Sequence, residues 1–212
     1  MIYDISPIIK KDIAVFPGDK EFTRKINLDF KNNDNLLLSE ITSTLHLGSH
    51  ADAPNHYNIN GISIERVNLT NYIGKCQVIE VFKEPYQRIY PKDIQEYEIL
   101  EKRILFKTNS FINPYKWNND FNSLSPELIE YLSKYNVVLI GIDTPSIDPY
   151  DSKLLESHNM VYNKNISVLE GITLIEVPIG IYYLIAIPLS IKDGDASPVR
   201  AILLKNINLL YN

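Results

Sequence analysis

The chain has 212 residues, 45% of them hydrophobic and 22% charged, with a net charge of -5 and a pI near 5.4. That composition suits a globular protein with a sizeable core, and an acidic balance without any Lys/Arg cluster argues against a nucleic-acid partner. One cysteine, Cys76, excludes an intramolecular disulfide, and no run reaches the roughly 18 apolar residues of a membrane span.

The opening MIYDISPIIKKD carries Asp4 and Pro7 and lacks an apolar core of signal-peptide length, so a cytoplasmic protein is expected. EFTRKINLDF places Phe22, Ile26, Leu28 and Phe30 at period two, which predicts a half-buried strand. LLLSEITSTLHL predicts another strand, running into a segment rich in histidine. KCQVIEVF, RILFKT, NVVLIGID, ITLIEV, IYYLIAIPL and VRAILL are short β-branched or aliphatic runs, several of them suited to burial on both faces. Cys76 falls in the first of these as a small apolar residue. A short helix is expected to open at Pro91. A longer one is expected over SPELIEYLSKY, with Ser125 as N-cap and Pro126 at the first helical position. DSKLLESHNMVYNK predicts a further helix, capped by Ser152, with Leu154, Leu155, His158, Val161 and Tyr162 on one face. No repeat or linker interrupts residues 1–212, so a single α/β domain with a mixed sheet is expected.

The chemistry concentrates in HLGSHADAPNHY, residues 46–57, which holds three of the four histidines. His46, His50, Asp52 and His56 have the spacing H-x3-H-x-D-x3-H. Imidazole and carboxylate suit Zn, Mn or Fe(II), and two histidines with a carboxylate form a common catalytic set. Gly48 lets the backbone turn and Pro54 stiffens the exit, so a broken strand can aim several side chains at one point. His158, on the apolar face of its helix, reads either as a satisfied core histidine or as a ligand. Glu170, just before Gly171, is either an exposed turn acid or a buried carboxylate that must be paired or metal-bound. DTPSIDPYD and DGDASPVRA are dense in acid, serine and proline, which serves turn-making and functional loops equally.

The segment HLGSHADAPNH resembles the H-x-G-T-H-x-D-x-P-x-H signature of the cyclase superfamily, which includes the bacterial kynurenine formamidases (arylformamidases). DIAVFPGD, LIGIDTPSIDP and LIAIPLSIKDGDASPVRAIL are similar to those enzymes in kind and order, so the likeness spans nearly the whole chain. The resemblance implies a swivelling β/β/α fold, a homodimer and hydrolysis of N-formyl-L-kynurenine, an aryl formamide, to L-kynurenine and formate. It implies two divalent ions per chain, Zn2+ first and Mn2+ second. Asp52 and Glu170 would bridge them, with His46 and His50 on one ion and His158 on the other. His56 becomes the proton donor and acceptor. Two positions depart from the pattern: the signature threonine is Ser49, and a substrate-contacting tryptophan before Pro-Gly-Asp is Phe16. Phenylalanine keeps an apolar face but loses area and the indole N–H. The alternatives are another amidohydrolase of the superfamily, such as one that opens isatin, and a non-catalytic metal-binding protein, which gives no reason for His56.

Overall fold

The apolar runs that punctuate the sequence pair into one nine-stranded mixed sheet. The computed structural model describes residues 1–205. Its strands are β1 (Ile2–Asp4), β2 (Thr23–Leu28), β3 (Leu38–Thr42), β4 (His50–Asp52), β5 (Ile73–Glu80), β6 (Arg88–Ile89), β7 (Arg103–Lys107), β8 (Ser123–Leu124), β9 (Leu139–Ile142), β10 (Ser167–Glu170), β11 (Gly180–Ile185), β12 (Ala196–Pro198) and β13 (Ile202–Leu204). The α-helices are α1 (Pro54–Tyr57), α2 (Pro126–Ser133) and α3 (Glu156–Lys164). The main sheet runs β1-β13-β11-β5-β7-β9-β10-β4-β12. Strands β5, β7, β9 and β10 are parallel to one another, and both flanks are antiparallel.

Alternation along the central strands builds two cores. Val78, Leu105, Leu139 and Leu169 point to one face, where they meet Ala51, Leu184 and Leu203 from the flanks. Strands from both flanks share one cluster because the sheet curls round it. Ile79, Ile104, Phe106, Ile140 and Val168 point to the other face, covered by Leu128, Ile129 and Leu132 of α2 and Val161 of α3. Strands buried on both faces are apolar at nearly every position, as the sequence led one to expect. Cys76 is buried in β5, and burial pushes its thiol up to about 12, which leaves it without thiolate character at neutral pH.

Helix α2 starts as expected: the Ser125 hydroxyl accepts from Leu128 N at 3.1 Å and Pro126 follows. The short helix expected to open at Pro91 does so, as a 3-10 helix over Pro91–Ile94. Three expectations need correction. ITLIEV is not a strand; Ile172, Leu174 and Val177 are buried from an irregular segment whose amides bond to the carbonyls of Ile142, Ile5 and Leu174. Ser152 does not cap α3; it accepts from Leu155 N, and the helix begins after Leu155, which takes a left-handed φ of 47°. The strand over Thr23–Leu28 is present but not half-buried: β2 and β3 form a hairpin apart from the main sheet, with Ile26, Phe30, Leu38 and Ile41 exposed. No helix among the described residues is long and apolar enough to cross a membrane.

Candidate active site

Strands β4 and β10 set the centre. They pair antiparallel with Glu170 opposite His50 and Val168 opposite Asp52. His50 and Asp52 are two apart and therefore share a face, the helix-covered one, while Ala51 between them fills the inner core. The two chains converge closely at the end of this ladder. Gly48 takes a φ of +57° and Gly171 one of +64°, and a Cβ on Gly171 would lie 2.2 Å from the Gly48 carbonyl oxygen. Only glycine fits there. Ser49, in place of the signature threonine, keeps the hydroxyl's use: it donates to the Gly171 carbonyl at 2.9 Å.

Helix α3 delivers His158 to the same point. His158 Nε2 lies 3.3 Å from Asp52 Oδ2 and 3.4 Å from Glu170 Oε1. His50 Nε2 lies 3.4 Å from Asp52 Oδ1 and 3.3 Å from Glu170 Oε2. Each carboxylate thus turns one oxygen to His50 and the other to His158. The far nitrogens are fixed: His50 Nδ1–H donates to the Gly48 carbonyl at 2.9 Å, and His158 Nδ1–H donates to Asp148 Oδ2 at 2.8 Å. Both Nε2 atoms are thereby aimed at the carboxylates. Asp148 also accepts from the Ser157 and His158 amides, so it caps α3 from the loop that precedes the helix, and Arg88 holds its second oxygen.

His46 and His56 close the cluster on its open side. His46 Nδ1 is 3.1 Å from Asp52 Oδ1, and its Nε2–H donates to Asp195 at 3.1 Å. His56, on α1, packs against His46 with ring centroids 4.0 Å apart and the rings tilted by 41°, and lies 3.9 Å from Asp195. It is the more open of the pair, its side chain 35% exposed against 16% for His46.

The donor set fits a divalent cation. Both oxygens of Asp52 and Nε2 of His50 are buried without a hydrogen-bond partner among the described residues. Contacts of 3.1–3.4 Å around them lack hydrogen-bond alignment. Buried carboxylates in that state need a positive charge nearby. Ligand atoms of His46, Asp52 and His56, and of His50, Asp52 and Glu170, each gather within 4.8 Å. The proton affinities carry the same message. Burial works against a charged His46, yet Asp52, Glu170 and Asp195 outweigh it and lift its pKa to about 9. Burial likewise opposes a charged His158, but Asp148, Asp52 and Glu170 hold it well above the ordinary value. Burial opposes ionisation of Asp52, and its histidine neighbours hold it well below the usual carboxylate range. His56 differs: burial lowers its pKa. A cation bound here competes with the protons on His46 and His158.

The cluster forms the floor of a cavity of about 400 Å³. Part of its lining is aromatic, with Phe16 and Trp117 in edge-to-face contact at 5.1 Å. The family described as "Putative cyclase" matches residues 3–149 of the chain. The chain belongs to the cyclase family. Among its relatives is the kynurenine formamidase of Bordetella pertussis, 40% identical over 204 residues, or 95% of this chain and 97% of that one. A solved structure from Bacillus stearothermophilus, described as a predicted metal-dependent hydrolase, shares 25% identity with a TM-score of 0.81, over 96% of this chain and 97% of that one. Isatin hydrolase A from Labrenzia aggregata has the same fold, with a TM-score of 0.79 at 22% identity over 97% of this chain and 94% of that one.

All six charged or imidazole residues singled out in the sequence meet at one point of this cyclase-family chain, and Phe16 lines the same cavity. Sequence reasoning missed Asp148, Asp195 and Trp117. The first two lie in the acid-, serine- and proline-dense loops that read equally as turns; a count of acids could not say which of them would face a histidine. Trp117 carried one signal, as the only tryptophan in the chain, but nothing in its surroundings tied it to the histidine segment.

Proposed function

We propose that this protein is a metal-dependent arylformamidase that hydrolyses N-formyl-L-kynurenine to L-kynurenine and formate. The observation that carries the reading is the pair of carboxylates, Asp52 and Glu170, each divided between His50 and His158. In this reading His46 and His50 would hold one divalent ion and His158 the other, with Asp52 and Glu170 as the carboxylate ligands. Zn2+ suits the nitrogen-rich set and Mn2+ is the second choice. When bound, such ions supply Lewis acidity, which makes water a nucleophile at neutral pH and polarises a carbonyl.

The residues of the chain do the rest. An anilide nitrogen leaves poorly unless protonated, and His56, on the open side of the cluster with a lowered pKa, is suited to take a proton from the attacking water and give it to that nitrogen. Asp195 accepts from His46 and fixes that ring, and its carboxylate lies 3.9 Å from His56 Nδ1. Asp148 holds the His158 tautomer that leaves Nε2 free. Phe16 offers an apolar face to the aryl ring. The relation to the Bordetella formamidase, over nearly the whole of both chains, supports this substrate.

We further propose a homodimer. Its support is the β2–β3 hairpin, whose Ile26 (46%), Phe30 (64%), Leu38 (49%) and Ile41 (66%) are exposed in a single chain. Large apolar side chains left open on one hairpin are commonly covered by a partner; light scattering that gives a monomer mass would overturn it.

The test of function is turnover by metal-loaded protein of N-formyl-L-kynurenine, isatin and a simple aryl ester. Formylkynurenine is expected to react fastest, with activity lost on chelation and restored by Zn2+. Faster opening of isatin would move the substrate assignment within the superfamily. Activity indifferent to chelation would remove the mechanism.

A further inference from the structure

The aromatic wall holds a residue that the signature does not contain. Trp117 lies on the irregular segment between β7 and β8, half-buried, with Phe16 at 5.1 Å, Phe111 at 5.9 Å and the fully buried Phe121 at 6.0 Å, all edge-to-face. Its indole N–H donates to Asn119 Oδ1, so the donor is already used and the ring orientation is set. What remains for a ligand is the apolar ring. The segment is tied at its base: Asp143 accepts from the Thr108 and Asn109 amides, Ser110 Oγ accepts from Asn122 N, and Asn118 donates to the Ser110 carbonyl. No Lys or Arg lines the cavity among the described residues, so an ion pair with a cationic side chain of this chain is not available to a substrate there. Polar side chains such as Ser146, Tyr150 and Ser152 also line the cavity, but the apolar faces suited to an aryl ring are those of the ring wall.

We infer that Trp117 is a substrate-contacting residue that sets selectivity for aryl over alkyl formamides, supplying from a separate loop the indole surface that Phe16 lacks. The inference rests on the arylformamidase reading for the identity of the ring, and its test separates the two. Because Trp117 is the only tryptophan, emission of the zinc-loaded full chain reports on it alone. Titration with L-kynurenine is expected to change that emission saturably. In steady-state kinetics, Trp117→Ala is expected to raise KM for formanilide and N-formyl-L-kynurenine about tenfold with kcat little altered, lowering the aryl-to-alkyl ratio of kcat/KM by the same factor. Trp117→Phe should recover most of the loss, and zinc content should match the parent in both variants, which excludes misfolding. Equal losses on aryl and alkyl formamides, or an unchanged KM for formanilide, would overturn the assignment. If no formamide or ester turns over, the formamidase reading fails by itself and the emission titration still decides Trp117. A saturable change upholds the contact; constant emission, with or without binding seen by calorimetry, removes it.

Discussion

The two ends of the cavity are built on different principles. At the floor, His50, Asp52 and Glu170 stand on paired strands, and His158 comes from a helix capped by the same aspartate that fixes its ring. Every one of these side chains is nearly inaccessible and held by at least two others. At the wall, Phe16, Phe111 and Trp117 stand on irregular segments, half-buried and held mainly by one another. Charge in a buried place demands fixed geometry, because a misplaced carboxylate costs several kcal/mol in desolvation. Ring contacts tolerate displacement, since each is worth only about 0.5–1.5 kcal/mol beyond the area it covers. The floor is therefore suited to unvarying chemistry and the wall to a choice of substrate.

Substitution at the floor should break the comparison most sharply. His50→Ala removes the nitrogen that faces both carboxylates, so metal content, expected at close to two ions per chain, and activity should fall together. The loss should exceed the roughly 10²–10⁴ of a lost acid–base group. Elemental analysis that still finds two ions would remove His50 from the ligand set.

His56→Ala comes next and separates proton transfer from ligation. His56 lies within ligand reach of His46 and Asp52, yet is more open and has a lowered pKa. With its metal retained, kcat should drop by on the order of 10²–10⁴. Loss of metal in this variant would make His56 a ligand instead.

Asp148→Asn tests whether the floor depends on residues that touch no substrate. Burial opposes ionisation of Asp148, but the His158 ring and the helix amides hold it down at about 2, so a neutral amide there forfeits a fixed negative charge. Zinc affinity, measured by chelator competition, should weaken about 10- to 100-fold. An unchanged affinity would reduce Asp148 to a helix cap.

How far each end was legible in the sequence follows from the same difference. The floor could be read because imidazole and carboxylate types are few and their spacing within one segment survives folding. The alternating strands β5, β7 and β9 were equally plain, since burial on both faces leaves little choice of residue. Asp148 and Asp195 were hidden because their partners lie 10 and 149 positions away, a relation set by topology. ITLIEV misled because apolar side chains can be buried from irregular backbone as well as from a strand. The β2–β3 hairpin misled in the other direction, since its period-two pattern matches a strand whose apolar face a single chain leaves uncovered.

The smallest effects belong to the wall, and Phe16 measures them. Full burial of a phenyl ring is worth roughly 1.5–3 kcal/mol. Phe16 is already half-buried against Trp117, so a substrate covers only part of it, and Phe16→Ala should cost about tenfold in kcat/KM. The loss should fall on KM, because a ring contact far from the carbonyl binds ground state and transition state alike. Zinc content should not move, since the phenyl side chain offers no atom that binds a metal. Phe16→Trp restores the residue of the family signature but places a second indole beside Trp117. With that surface already provided, it should change kcat/KM for formylkynurenine less than Phe16→Ala does. A kcat loss in Phe16→Ala equal to the KM rise would mean that the wall shapes the reaction geometry too, and the division between floor and wall would fail.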